Sequence, residues 1–334
     1  MKTIKNILGV ICIAAALSGC LKNDNDDLPV SPQADGEALL ERFLKNRTDA
    51  VENFEIDAAS GGMITGSQGT TVYFPANAFG LNGTPVTGTI SVALLEIYNK
   101  ADMLLKDNST LGKHANGDKE ILQSAGEFFI NGTQGNLQLE LLAQATVTSR
   151  PIDLEDFDGQ MNIFKKGTAT DKCDGIDADC DWIEADENDD GKVDKANIID
   201  DENGKIISYR YLIGSFGWTN LDRWYSYAGP KTRIYVDVPE GFDSSNCAVY
   251  LSYDGEPSAL ASMDTYNTEL DLFTEHYGMI PIGQKIHIIV VAEIDGVLHY
   301  AIQGNTVVDE HIAVITSLVP STQAALETLI NDLP

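Results

Sequence analysis

Apolar positions change period twice along the chain. Over residues 35–50, Leu39, Leu40, Phe43 and Leu44 fall on one stripe at helical spacing and Asp35 stands where an N-cap is needed, so the pattern predicts a short helix. From Val51 the period drops toward two. Short apolar runs at 70–74, 89–97, 127–130 and 137–142 are cut by Gly61-Gly62, Gly66, Gly69, Asn82-Gly83, Gly88, Asn116-Gly117, Asn131-Gly132 and Gly135. Turn signals this close together, with no long helical pattern between them, predict a β-sandwich rather than alternating β and α units. The last third repeats the pattern at 206–212, 233–238, 248–252, 285–293, 297–303 and 311–315, and Asp295-Gly296 between two apolar runs predicts a two-residue hairpin with Ala292 opposite His299. A closing helix follows, with Ser321 as cap and Leu326, Leu329, Ile330 and Leu333 on one stripe. The expected fold class is all-β: two β-sandwich domains, 34–150 and 207–334, with a short N-terminal helix on the first and a C-terminal helix on the second.

The first residues bear on location. Lys2 and Lys5 precede an apolar stretch from Ile7 to Leu17, about half of the ~20 residues that a membrane-spanning helix needs. That length predicts a processing signal over 1–19. Leu17-Ser18-Gly19-Cys20 resembles the bacterial lipobox, in which the cysteine thiol is acylated before cleavage, making Cys20 the expected lipidation site. Several acyl chains give durable anchoring where one is marginal. Residues 20–33 read as an acidic tether, and Lys22-Asn23-Asp24-Asn25-Asp26-Asp27 resembles the surface-export signal of Bacteroidota lipoproteins. The resemblance implies attachment to the outer face of the outer membrane.

Residues 151–206 break composition sharply, with Asp174, Asp177, Asp179, Asp181, Glu184 and Asp186 at the head of a long acidic run. A run of like charge is ordinarily a solvated loop. Here, however, Asp186, Asn188, Asp190, the carbonyl of Lys192, and Asp194 place oxygens at alternate positions, with Gly191 at the sharp turn. Calcium takes six to eight hard oxygen ligands, and such spacing suits it. The stretch resembles the DxNxDG loops of extracellular calcium modules, with Asn197 where an EF-hand carries its bidentate Glu; that loss implies weak binding. Cys173 and Cys180 are the candidate disulfide, which would close a short acidic loop at the head of this run and leave Cys247 unpaired. Trp182, among acids, is the expected exposed ring for stacking on a sugar, whereas Trp218 and Trp224 are expected in packing.

Gly69-Thr70-Thr71-Val72-Tyr73-Phe74-Pro75-Ala76-Asn77-Ala78-Phe79, Pro85-Val86-Thr87-Gly88-Thr89-Ile90, Glu96-Ile97-Tyr98-Asn99-Lys100-Ala101-Asp102-Met103-Leu104 and Ser124-Ala125-Gly126-Glu127 are together similar to the ZU5-like β-sandwich module of Bacteroidota surface proteins. The likeness covers about residues 54–150, and Phe216–Tyr225 with Val238-Pro239-Glu240-Gly241-Phe242 is similar to the C-terminal half of the same lipoproteins. It implies Ig-like or ZU5-like sandwiches in an extracellular structural or interaction role, and it brings no catalytic residues with it.

Charge narrows the field of partners. With 51 Asp and Glu against 22 Lys and Arg, the net charge of -29 argues against nucleic acid, which needs clustered cations. HExxH, GxSxG, the P-loop and GxGxxG are all absent. The five histidines, His114, His276, His287, His299 and His311, are scattered, and the predicted hairpin register turns His287 and His299 to opposite faces. The expectation is a non-enzymatic adhesion or scaffold component on the cell surface, with a membrane, a surface protein or a glycan as partner. The alternatives are a glycan-binding lipoprotein of a polysaccharide-uptake system and, after that, a surface hydrolase whose acid pair carries no local signature.

Overall fold

The computed structural model describes residues 33–151, 161–167, 173–186, 190–275 and 277–334; the expected signal, Cys20 and all of the expected tether but Gln33, together with Asn188 and His276, lie outside them. The fold class is all-β, with three helices among the described residues. The largest sheet runs Glu52–Asp57, Thr89–Ile97, Lys119–Gln134, Gly217–Trp224, Asn162–Lys166, Trp182–Glu184 and Leu111–Lys113, with Leu137–Gln138 attached to the long strand. Leu111–Lys113 also pairs back onto Lys119–Gln134, so that one end of the sheet closes on itself. Facing it is a five-stranded sheet in the order Asn197–Asp200, Ile206–Ile213, Ala145–Ser149, Thr71–Phe74 and Gly62–Thr65. Val92, Leu94, Phe128 and Ile130 from the first sheet share a core with Val72, Phe74, Val147 and Tyr211 from the second.

A second pair of sheets follows. Leu260–Ser262, Cys247–Tyr253, Lys285–Ile294, Val297–Thr306 and Val319–Pro320 form one, and Thr265–Asn267, Leu272–Thr274, Ile234–Asp237 and His311–Val314 form the other. Their core holds Val236, Val249, Phe273, Ile288 and Val290. Asp295 and Gly296 take φ +51° and +76°, and Ala292 pairs with His299 as the hairpin register predicts. The near-continuous apolar run Ile286–Ala292 has a physical cause: both of its faces are covered.

What covers the other face joins the two halves. Tyr250, Ile289, Val291 and Leu298 pack in one cluster with Leu95, Phe129, Phe164, Trp182 and Trp218 of the first large sheet. Helix α1 (Gly36–Asp49), α2 (Lys100–Leu105) and α3 (Gln323–Asn331) contribute Leu39, Phe43, Met103, Leu104, Leu326 and Ile330 to that layer. Each helix has a side-chain cap: Asp35 accepts from Ala38 N–H, Asn99 from Asp102 N–H and Thr322 from Ala325 N–H. Thr322 thus takes the role expected of Ser321. The α1 stripe is also narrower than its pattern suggests: Leu39, Phe43 and Arg47 are buried, whereas Leu40 and Leu44 are 63% and 40% exposed.

The domain boundaries need correcting. Ile206–Ile213 and Gly217–Trp224, expected to open a second sandwich at 207, hydrogen-bond instead to Ala145–Ser149 and Lys119–Gln134 of the first half. Part of the acidic stretch, Asn162–Lys166 and Trp182–Glu184, also lies inside the first large sheet rather than outside it. Turn spacing locates strands but carries no information on which distant strand each one pairs with. Residues 34–334 form one compact unit, in which a shared middle layer joins the core of the first half to that of the second.

Candidate functional site

In the acidic loop, Asp186 accepts hydrogen bonds from the backbone of Asp190 (3.0 Å) and Gly191 (2.8 Å), and Asp190 accepts from Lys192 N–H at 2.9 Å. Gly191 takes φ +77°, the sharp turn that its position implies. Burial, and then the negative charges of Asp186 and Asp190, raise the Asp194 carboxyl above its usual range. Three of the expected calcium ligands are therefore close enough to repel. Asn188 lies outside the described residues, and the described ones place no three acidic, His or Cys side chains together as a metal site. The wall of this loop, with Lys113, His114 and Glu184, lines a cavity of about 450 Å³.

Cys173 and Cys180 are joined, as their spacing suggests. Cys247 is free and buried, and burial pushes its thiol up to about 12, which leaves it unreactive at neutral pH. Trp182 overturns its expected role, being only 1% exposed. Its ring meets Trp218 edge-on at 6.3 Å, and its Nε1–H donates to the Ser109 carbonyl at 3.0 Å. A ring so enclosed cannot stack on a sugar. Trp218 is buried as expected, and the half-buried Trp224 stacks on His114 at 3.7 Å. His287 is tied to Asp254 at 2.7 Å and His299 to the carbonyl of Val297, and each sits in its own surroundings.

The most unusual chemistry sits in the middle layer. Gly126 takes φ +126°, where a Cβ would stand 2.5 Å from the Phe128 ring, and an extra residue bulges the long strand between its partners Asn220 and Asp222. Ala125 and Phe128 consequently enter the first core, while Phe129 points to the helices. Glu127 and Asp222 are wholly buried. Asn108 Nδ2 donates to Glu127 Oε2 at 2.5 Å, Ser124 Oγ donates to Asn220 Oδ1 at 3.0 Å, and Asn220 Nδ2 donates to Asp222 Oδ2 at 2.6 Å. Asn108 Oδ1, Glu127 Oε1 and Asp222 Oδ1 are enclosed and accept no hydrogen bond from any described residue. Such orphans are rare, because each forfeits its hydration without return.

Burial raises Glu127 to about 8 against the pull of Lys166, Arg47 and Lys106, and it raises Asp222 well above the carboxylate range, helped by the charge of Glu127. Lys166 is lowered to about 8 by burial and then by the like charge of Arg47. Its Nζ lies 5.3 Å and 5.1 Å from the ring centres of Trp182 and Trp218. Nearby, a cavity of about 290 Å³ between α2 and α3 is lined by Tyr98, Lys100, Ser124, Pro257, Ser258 and Leu333. Lys100 Nζ donates to the Tyr253 carbonyl at 2.9 Å, and burial lowers it to about 8. The sequence did carry one signal for this cluster: Glu127 is an acid embedded between Ala125 and Phe128-Phe129-Ile130, where a half-exposed strand would place apolar or solvated residues. No protein-family model matches the chain, and no curated protein is similar to it.

Proposed function

We propose that this chain is the folded part of a surface lipoprotein, anchored to the outer membrane through acyl chains on Cys20, and that it acts as a non-enzymatic adhesion or scaffold module. The observation that carries this reading is the middle layer. The first large sheet and the sheet of Cys247–Tyr253 are locked together by buried apolar side chains from both halves and by struts across them, including the bidentate Arg42–Glu293 pair at 2.7 Å and Thr110 bonded to Leu260. A body of that build holds its surfaces at fixed spacing, which suits a spacer or docking platform. The glycan-binding alternative has lost the residue that distinguished it, because Trp182 is in the core. In cells producing this chain, Cys20→Ala is expected to move the protein out of the membrane fraction, and added protease is expected to remove the unsubstituted protein from intact cells. Protein that resists protease on intact cells, yet is degraded after lysis, would count against surface display. Turnover of a polysaccharide by the purified chain would replace the scaffold reading by the hydrolase one.

Calcium at the acidic loop is part of the same proposal, with Asp186, Asn188, Asp190, the Lys192 carbonyl and Asp194 as ligands. Its support is that burial, and then the negative charges of Asp186 and Asp190, raise Asp194, a strain that a cation would relieve. Carboxylate oxygens that cap backbone N–H groups keep a second lone pair for a cation. The ion would rigidify the loop. A roughly tenfold excess of Ca²⁺ over its Kd is expected to stabilise the fold by about 1.4 kcal/mol. Differential scanning calorimetry in millimolar Ca²⁺ should show a higher Tm that Asp190→Ala abolishes; an unchanged Tm leaves a solvated loop.

A further inference from the structure

We propose that Lys166 and Asn108 become joined by an intramolecular isopeptide bond in the middle layer, with Glu127 as the group that carries the proton between them. Three features bring the groups together. Asn108 already donates its amide Nδ2–H to Glu127 Oε2 at 2.5 Å. Lys166 is the cation that acts most strongly on that same carboxyl. Its Nζ stands over the Trp182 ring, whose Nε1–H is fixed to the carbonyl of Ser109, the residue next to Asn108. Lys166, half-buried, is also lightly held: its one hydrogen bond to a described residue is the long 3.3 Å contact with the Ala178 carbonyl, which leaves Nζ room to turn toward Asn108.

The protonation states suit amide exchange. With Lys166 lowered to about 8, roughly a tenth of it is the free amine at pH 7, and only the amine carries a nucleophilic lone pair. Glu127, raised to about 8, is mainly the acid there and can donate as well as accept. In the reaction the Nζ lone pair adds to Asn108 Cγ, forming a C–N bond. Glu127 gives its proton to Nδ2 and takes one from Nζ, the Cγ–Nδ2 bond breaks, and Nδ2 leaves as ammonia. The sum is amine plus primary amide giving secondary amide plus ammonia, with no oxidant, reductant or further reactant. Enclosure keeps water from competing and holds the two groups at high effective concentration. The product also provides for the orphaned oxygens: a protonated Glu127 can donate to the new amide's carbonyl, Asn108 Oδ1, and accept from its N–H. Asn220 is the poorer partner because both ends of its amide are already engaged, by Ser124 and Asp222.

The test is peptide mapping of the purified full chain after reduction and trypsin digestion. A bonded Lys166 resists trypsin, so the expected product is a branched peptide joining 107–113 to 166–172, lighter than the sum of the two by one ammonia. Lys166→Arg should melt cooperatively yet yield no branched peptide, and Glu127→Gln should reduce its yield at least tenfold. Linear peptides cleaved after Lys166 as the main form in folded protein would overturn the proposal, and so would a branch that maps to Asn220. Full bonding in folded Glu127→Gln would remove Glu127 from its role. If that variant fails to fold, the map of the unsubstituted chain decides.

Discussion

Trp182→Ala is expected to cost about 3–5 kcal/mol of folding free energy, the range for deleting a large aromatic from a packed interior. The ring joins two walls of the middle layer, through the edge-on contact with Trp218 and the hydrogen bond to Ser109. Truncation would leave a cavity and a buried carbonyl without its donor, and it would remove one of the two rings beside Lys166. Trp182→Phe separates these losses: it keeps most of the volume but loses the N–H, and is expected to cost about 1–3 kcal/mol, the penalty for a buried group left unsatisfied. Urea titration of the three proteins measures the differences. A Trp182→Ala chain as stable as the parent, but with a glycan interaction lost, would return the ring to the surface and revive the sugar-stacking reading.

The same residue shows where the sequence stopped being legible. Trp182 is surrounded by Asp177, Asp179, Asp181 and Glu184, and local polarity alone argues for exposure. Its burial is decided by pairing with Lys166 and Gly112, residues 16 and 70 positions away, and nothing near Trp182 encodes either partner. The boundary at 207 failed for the same reason. Ile206–Ile213 carries a sound strand pattern but pairs with Ala145–Ser149 across the whole acidic stretch. Where the determinant is local, the reading held: Asp35 caps α1, Asp295-Gly296 turns the hairpin with the expected register, and Cys173 reaches Cys180. The buried cluster falls between these cases. Glu127 stands out as an acid beside the apolar run Phe128-Phe129-Ile130, but only the bulge at Gly126 and the pairing of two distant strands bring Asn108, Glu127, Asn220 and Asp222 into one layer.

Stability is expected to fall as pH rises from about 5 to 8, the reverse of the usual acid-side behaviour of a protein rich in carboxylates. Glu127 titrates near 8 when folded, against an ordinary value of 4.5 when unfolded, so between those limits the folded state holds a proton that the unfolded state has lost. The slope of unfolding free energy with pH is then negative, and the contribution is complete below about 4.5 and gone above about 8. Asp222 acts in the same direction, because burial and Glu127 both disfavour its charge. The cations facing Glu127, namely Lys166, Arg47 and Lys106, moderate the effect without reversing it. At about 1.4 kcal/mol per pKa unit, the Glu127 limb amounts to about 5 kcal/mol at most. Glu127→Gln keeps the shape without the charge and should flatten that limb in urea unfolding at pH 5, 6.5 and 8. A stability that rises across this interval, or an identical slope in the variant, would mean that Glu127 is ionised in the fold. Lys166 supplies a second, opposite limb: its free amine titrates near 8 folded and 10.5 unfolded, so the unfolded state binds more protons between those values and stability recovers. An amide nitrogen has no such proton to lose. Chains bonded at Lys166 should therefore keep the decline from pH 5 to 8 and lack the recovery above it, whereas Lys166→Met, which also lacks that titration, should yield no branched peptide.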